Sequence, residues 1–249
     1  MRDEFYKTPR LYISQDLNQE ADITLDKSQS HYVANVMRQR VDAKLRLFNG
    51  RHGEWLAQIT STSKREVVLR IEQQLRPQSP LTDIHYLFAP LKHARLDYMV
   101  QKATEMGASR LQPVLTQNTN VSRVNSERMK ANAIEAAEQC NLLSIPEISE
   151  PLKLDKLLAE WPSERLLIFC DEAVESNSPL ETLNGFASQP LAVLVGPEGG
   201  FSDDERHALL NHESALAISL GPRIMRADTA AVAALALVQA TLGDWQSHS

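Results

Sequence analysis

The spacing of apolar and polar residues changes near residue 80. Before that point, short alternating runs dominate. Lys44-Leu-Arg-Leu-Phe48 and Glu54-Trp-Leu-Ala-Gln-Ile59 flank Asn49-Gly50, a pair that tolerates the positive φ of a turn. Arg65 to Ile71 repeats the alternation, and Thr8 to Ile13 predicts a further short strand. Ser28 to Arg38 places Tyr32, Val33, Val36 and Met37 at helical spacing on one side. Residues 1–75 therefore predict a small β-rich domain, a barrel with one helix. Arg76-Pro-Gln-Ser-Pro80 interrupts the pattern, and 76–82 are expected to be a linker.

From Asp83 onward, predicted strands alternate with predicted helices. The strands are Ile84–Phe88, Leu111–Leu115, Leu166–Phe169, Leu191–Val195 and Ala215–Leu220. The helices are Leu96–Met106, closed by Gly107; Ser126–Cys140, with Ser126 as its cap and Ile134 and Ala137 turned inward; and Pro179–Phe186. A further helix starts at Asp203, where Ser202 and Glu205 have capping-box spacing, and Thr229–Leu242 is apolar enough to be buried. Such alternation predicts an α/β fold over 83–249, with a mainly parallel sheet covered on both faces.

Composition narrows the class. Hydrophobic residues make up 43% and charged residues 23%, as in an ordinary globular protein. The most apolar run, 229–238, is shorter than the roughly 20 residues of a membrane span, and no N-terminal apolar stretch reads as a secretion signal. Cys140 and Cys170 are expected to be two buried thiols in a reducing cytosol, so a cytoplasmic protein is expected. The net charge of −6 argues against a general nucleic-acid coat. Its distribution adds something: residues 1–80 carry 13 Lys and Arg against 10 Asp and Glu, whereas 81–249 carry 13 against 22. A mildly basic N-terminal part is compatible with RNA contact there.

Candidate chemistry is found mainly by elimination. His207 and His212 are five apart, on different faces of a helix, and His31, His52, His85 and His93 are scattered, so no metal site is expected. Gly196-Pro-Glu-Gly-Gly200 lacks the Gly-Lys-Ser/Thr of a triphosphate grip, and no dinucleotide fingerprint is present. What remains is two Gly-Pro loops, each following a predicted strand and opening a helix. Ligands of α/β sheets gather at such strand ends. Glycines let a flat ring approach main-chain groups closely, which suits an adenosine without phosphates, although plain turns use the same residues. Arg226-Ala-Asp228-Thr229 at a helix start shifts the reading toward function.

Leu194-Val-Gly-Pro-Glu-Gly-Gly-Phe201 and Leu220-Gly-Pro-Arg-Ile-Met-Arg226-Ala-Asp-Thr-Ala230 resemble the RsmE family, SPOUT-class RNA methyltransferases acting on uridine N3 of 16S rRNA. His31-Tyr-Val-Ala-Asn-Val-Met-Arg38, Arg95-Leu-Asp97, Gln101-Lys-Ala-Thr-Glu-Met-Gly107 and Glu135-Ala-Ala-Glu-Gln139 extend the resemblance over nearly the whole chain. The resemblance implies a deep trefoil knot in the C-terminal domain, S-adenosylmethionine held in its loops, and a PUA-like RNA-binding barrel at the N-terminus. It also implies a homodimer acting on 16S rRNA or the small ribosomal subunit. Cofactor contacts are expected from Phe169, Cys170, Gly196, Gly200, Leu220, Gly221, Ile224, Met225 and Thr229. Arg226 is assigned to stabilising charge on the uracil oxygens, and Asp228 to accepting a proton or orienting Arg226. Arg10, Arg38 and Lys102 are candidate RNA contacts.

Two positions depart from the family pattern. Asp228 replaces a common Glu, and Asn141-Leu142 replaces a common Gly-Arg pair. Other readings stay open: methylation of a ribose 2′-OH or a tRNA base, a non-catalytic RNA-binding assembly factor, and a small-molecule nucleotide enzyme.

Overall fold

A computed structural model describes residues 5–63, 66–121, 123–174, 178–187 and 189–246, with His93 described in its backbone only. The chain divides into two compact units, one of Met1–Pro80 with Ala137–Ser144, the other of Leu81–Ala136 with Ile145–Ser249.

The first unit carries β1 (Arg10–Tyr12), β2 (Asp22–Thr24), α1 (Lys27–His31), β3 (Lys44–Phe48), β4 (Glu54–Thr62) and β5 (Val67–Arg76). They form one five-stranded sheet in the order β1-β3-β4-β5-β2, with β1 parallel to β3 and the other pairs antiparallel. Leu45, Leu47, Ala57, Ile59, Leu69 and Ile71 alternate onto one buried face, as their period of two requires. Of the last predicted strand here, Arg65 lies outside the described residues. β5 runs on to Arg76, past the expected end at Ile71.

The predicted helix over Ser28–Arg38 is corrected. α1 starts with an Asp26/Gln29 capping box and passes into a π-helical turn, Tyr32–Val36, in which the Met37 N–H reaches the Tyr32 carbonyl at 2.9 Å. The wider turn breaks the 3.6 spacing. Val33 stays buried, whereas Tyr32 and Val36 are exposed, and Arg38 leaves the helix at φ 56°.

The second unit is built on a seven-stranded sheet whose main path is β12-β10-β11-β6-β7-β8, with every recorded pair parallel. Its strands are β6 (Ile84–Phe88), β7 (Arg110–Leu115), β8 (Glu147–Ile148), β9 (Leu152–Lys153), β10 (Leu166–Cys170), β11 (Leu191–Val195) and β12 (Ala215–Ile218). The helices are α2 (His93–Glu105), α3 (Ser126–Gln139), α4 (Leu154–Ala159), α5 (Pro179–Leu183), α6 (Asp203–Leu210) and α7 (Ala227–Thr241). Both faces are buried. Ile84, Tyr86, Phe88, Ile168, Val193 and Val195 point into a core with α2, α3, α5 and α7. Leu87, Leu167, Phe169, Ala192 and Leu194 point the other way, with Leu154 of α4 and Leu209 of α6.

Several local expectations change. Asn125, not Ser126, caps α3, accepting the Arg128 N–H at 3.0 Å. His212 lies beyond the end of α6. Cys140 is exposed and Cys170 half-buried, where both were expected to be buried. Strands β2, β8 and β9 and helix α4 are additions. Among the described residues, no helix is long and apolar enough to cross a membrane.

Candidate active site at the strand ends

Strands β10, β11 and β12 lie side by side, and the loops leaving their carboxyl ends enclose a cavity of about 300 Å³. That falls at the lower end of the size range for small-molecule sites. Its walls come from three loops: Gly196 to Gly200 after β11, Leu220 and Gly221 with Arg223 to Met225 after β12, and Cys170 to Ala173 after β10. Ala227 and Ala230 of α7 close it.

The glycines have identifiable reasons. A Cβ on Gly196 would stand 3.1 Å from the Phe201 ring, so the backbone there packs directly on an aromatic face. Gly200 and Gly221 sit at φ 68° and 102°, where side chains other than Asn or Asp are strained. The first loop is tied from outside. Glu198 pairs with Arg95 of α2 at 2.8 Å, and Ser202 and Glu205 complete the predicted capping box of α6. Polar character enters through Asp171, which is buried. Its Oδ2 accepts from Arg206 Nε at 2.7 Å and its Oδ1 from the Ala173 N–H at 3.0 Å.

Of the residues expected to touch a cofactor, Cys170, Gly196, Gly200, Leu220, Gly221, Ile224 and Met225 line the cavity. Phe169 does not. It is fully buried in the opposite core and meets Phe201 edge-on at 6.2 Å, so it supports the loop from behind. Thr229 is exposed on α7, outside the lining. Burial pushes the Cys170 thiol up to about 12, so it stays protonated at neutral pH. Asp171, Arg206 and Arg223 also line the cavity and were not singled out in the sequence. The acidic turn after the strand was the available signal for Asp171.

Arg226 is the N-cap residue of α7, exposed, with no side-chain cap hydrogen bond. Asp228, half-buried in the first turn, accepts the Thr229 N–H at 3.1 Å. It also lies near Tyr86, whose phenol is held well above its usual value by burial, then by Cys170 and Asp228. Among the described residues no ion pair joins Arg226 to Asp228, so the arginine is not locked to that carboxylate.

The candidate RNA contacts divide. Arg38 is exposed. Lys102 pairs with Glu105 at 2.8 Å on α2. Arg10 requires correction: it is buried, its Nε on Glu54 at 2.6 Å and its other nitrogens on the carbonyls of Ala137, Glu138 and Leu142. With every donor nitrogen committed inside the fold, Arg10 is a structural residue.

A parallel sheet with a glycine-containing cavity at three strand ends, and no phosphate grip, defines a class of α/β protein with a small-ligand site at its strand ends. Comparison with known proteins specifies that class. A family model described as an RNA methyltransferase domain matches residues 77–239, and one described as an RNA methyltransferase PUA domain matches 25–72. The ribosomal RNA small subunit methyltransferase E of Rickettsia conorii is 34% identical over 94% of this chain and 96% of its own length. Its Bacillus subtilis namesake is 25% identical over 90% and 92%. A Legionella pneumophila protein solved with the bound cofactor SAM superposes with a TM-score of 0.81, at 29% identity over 94% of this chain and 97% of that one. The Neisseria gonorrhoeae ribosomal RNA small subunit methyltransferase E, bound to S-adenosyl methionine, reaches 0.83 at 24% identity over 96% and 99%, and supports the fold alone. The chain belongs to the RsmE family of RNA methyltransferases.

Proposed function

We propose that this protein methylates uridine N3 in 16S rRNA of the small ribosomal subunit, using S-adenosylmethionine. The observation that carries the reading is the cavity enclosed by the loops at the ends of β10, β11 and β12, with Arg226 and Asp228 at the adjacent start of α7. The residues present fit the cofactor: Gly200 and Gly221 have open space beside their Cα atoms for a flat ring, Gly196 makes room for the supporting Phe201 ring, and Ile224 and Met225 supply apolar contact. Bound there, S-adenosylmethionine supplies an electrophilic methyl group.

The protein's own contribution is positioning and charge. Uracil N3 carries a proton that must leave before the nitrogen can attack. Of the two roles expected of Asp228, proton acceptance is the one that needs no contact with Arg226, and Asp228 accepts that proton. Arg226 stabilises the negative charge left on the uracil oxygens. Its exposure and lack of an ion pair with Asp228 support this assignment. Arg38, exposed beside the π-helical turn, is the RNA contact best supported in the first unit, which we read as a PUA-like barrel domain ending near residue 75. The further architecture we propose is a trefoil knot formed by the cavity loops and a cytoplasmic homodimer with each site near the subunit boundary.

The test is nucleoside mass spectrometry of 16S rRNA from a strain lacking the gene. Loss of a single N3-methyluridine, restored by the wild-type gene, is expected; an unchanged modification profile would sink the proposal. A 2′-O-methyl or tRNA change would move the protein to a different activity within the same fold.

A further inference from the structure

Asn118 stands behind the cofactor loop rather than in the cavity. It lies in the turn after β7, which is closed by Thr119 Oγ1 accepting the Thr116 N–H at 2.9 Å. Its Nδ2 donates to the carbonyls of both Gly199 and Gly200, each at 3.1 Å. Two carbonyl partners can be served only by the amide NH₂. Contact here is close: a Cβ on Gly199 would be 3.4 Å from Asn118 Cβ. A second tie runs alongside. Glu205 accepts the Gln117 N–H at 2.7 Å through Oε1 and the Ser202 N–H at 3.0 Å through Oε2.

A trans peptide unit points its C=O and N–H in opposite directions, and no cis peptide occurs among the described residues. Fixing the Gly200 carbonyl on Asn118 therefore turns the Phe201 N–H away from Asn118. Gly199, Gly200 and Phe201 line the cavity, and Asn118 lies outside that lining. The neighbouring Gly200 N–H is already used, donating to the Pro197 carbonyl at 2.9 Å. Among the described residues, the Phe201 N–H has no protein acceptor.

We infer that Asn118 is a positioning residue for cofactor binding: it sets the Gly200–Phe201 peptide so that the Phe201 N–H faces the cavity as a donor to an acceptor atom of the bound adenosine. This rests on the proposed use of S-adenosylmethionine.

Calorimetric titration of the full chain with S-adenosylmethionine tests it, on wild type, Asn118→Ala and Asn118→Asp. Asn118→Ala should bind about tenfold more weakly, the scale of a lost oriented hydrogen bond. Asn118→Asp keeps the shape but turns an acceptor toward two carbonyls, and should bind more weakly still. The KM for the ribosomal substrate should stay at the wild-type value. Wild-type-like cofactor affinity in Asn118→Ala would overturn the inference, as would a loss confined to the KM for RNA. Amide spectra of wild type labelled at its six phenylalanines give a readout independent of any variant. The Phe201 resonance should shift when S-adenosylmethionine is added, and an unmoved resonance would also overturn the inference. If wild type itself fails to bind, the proposed function falls rather than the role of Asn118.

Discussion

Arg226 makes no side-chain cap bond and is exposed, between Met225 and Ala227 of the cavity lining. Arg226→Ala should therefore abolish methyl transfer while changing S-adenosylmethionine affinity less than about threefold, because lost charge stabilisation acts on the transition state. Single-turnover methylation together with calorimetry checks this; full methylation by the variant would remove Arg226 from the mechanism. Arg10 shows the opposite case. Glu54 is fully buried and faces Arg10 at 2.6 Å, Arg76 at 3.0 Å and Arg46 at 3.6 Å. Burial lowers the Arg10 pKa despite the hydrogen bond it donates to Glu54. Glu54→Gln would leave three guanidiniums without their shared anion, and should cost about 3–5 kcal/mol in urea unfolding. Neither role was legible in the residue type: a basic residue near the start of a strand reads equally as an RNA contact or a buried partner. The partner, Glu54, is 44 positions away. Asn141 is similar. It holds φ 62°, where the family commonly has Gly, and its Oδ1 accepts from Arg76 at 3.2 Å. The departure is thus one residue tolerant of the left-handed region replacing another.

Strands and capped helices were the most legible elements. Leu191–Val195 and the Ser202/Glu205 cap of α6 stand as the sequence predicted, because short apolar runs and side-chain-to-backbone bonds are local physics. The π-helical turn was not, since nothing in a 3.6-residue period announces an extra residue per turn. Two predictions concern elements. Cys170 ends β10 with its thiol pushed up to about 12, whereas Cys140 is exposed after α3. Iodoacetamide at pH 8 should label Cys140 well before Cys170, as peptide mass mapping would show; equal rates would contradict the raised pKa of the half-buried β10 thiol. In β6, His85 is held down to about 4, chiefly by burial and then by Arg165 and Arg110, against the opposing pull of Asp83 and Glu147. An unfolded histidine near 6.5 takes up protons first, so stability is full above that value and is lost as pH falls toward 4. Between pH 7 and pH 5 the loss should be about 2 kcal/mol, and His85→Gln should flatten it. Equal pH slopes in the two proteins would rule the histidine out.

At the scale of the molecule, the alternation of strands and helices after Asp83 was enough to give a parallel sheet, and the glycine loops were enough to locate its pocket. Strand order could not be read, because β10, β11 and β12 are brought together by pairings distant in sequence. The charge asymmetry yields one further test. With RNA contact assigned to a mildly basic part of an acidic chain, few phosphates can be neutralised, and each true contact should be visible. Arg38→Ala should reduce the magnitude of the salt slope of RNA binding by about one unit; an unchanged slope would exclude it. The glycines of the cavity also bear on how the site tolerates substitution. At Gly200 and Gly221 the space beside the Cα is open and the backbone is left-handed, so what is rejected there is chirality rather than bulk. At Gly196 the Phe201 ring stands 3.1 Å from a Cβ, so what is rejected is bulk. Saturation mutagenesis should separate the two, with tolerance limited to residues that accept the left-handed region at the first pair and a size limit at the third.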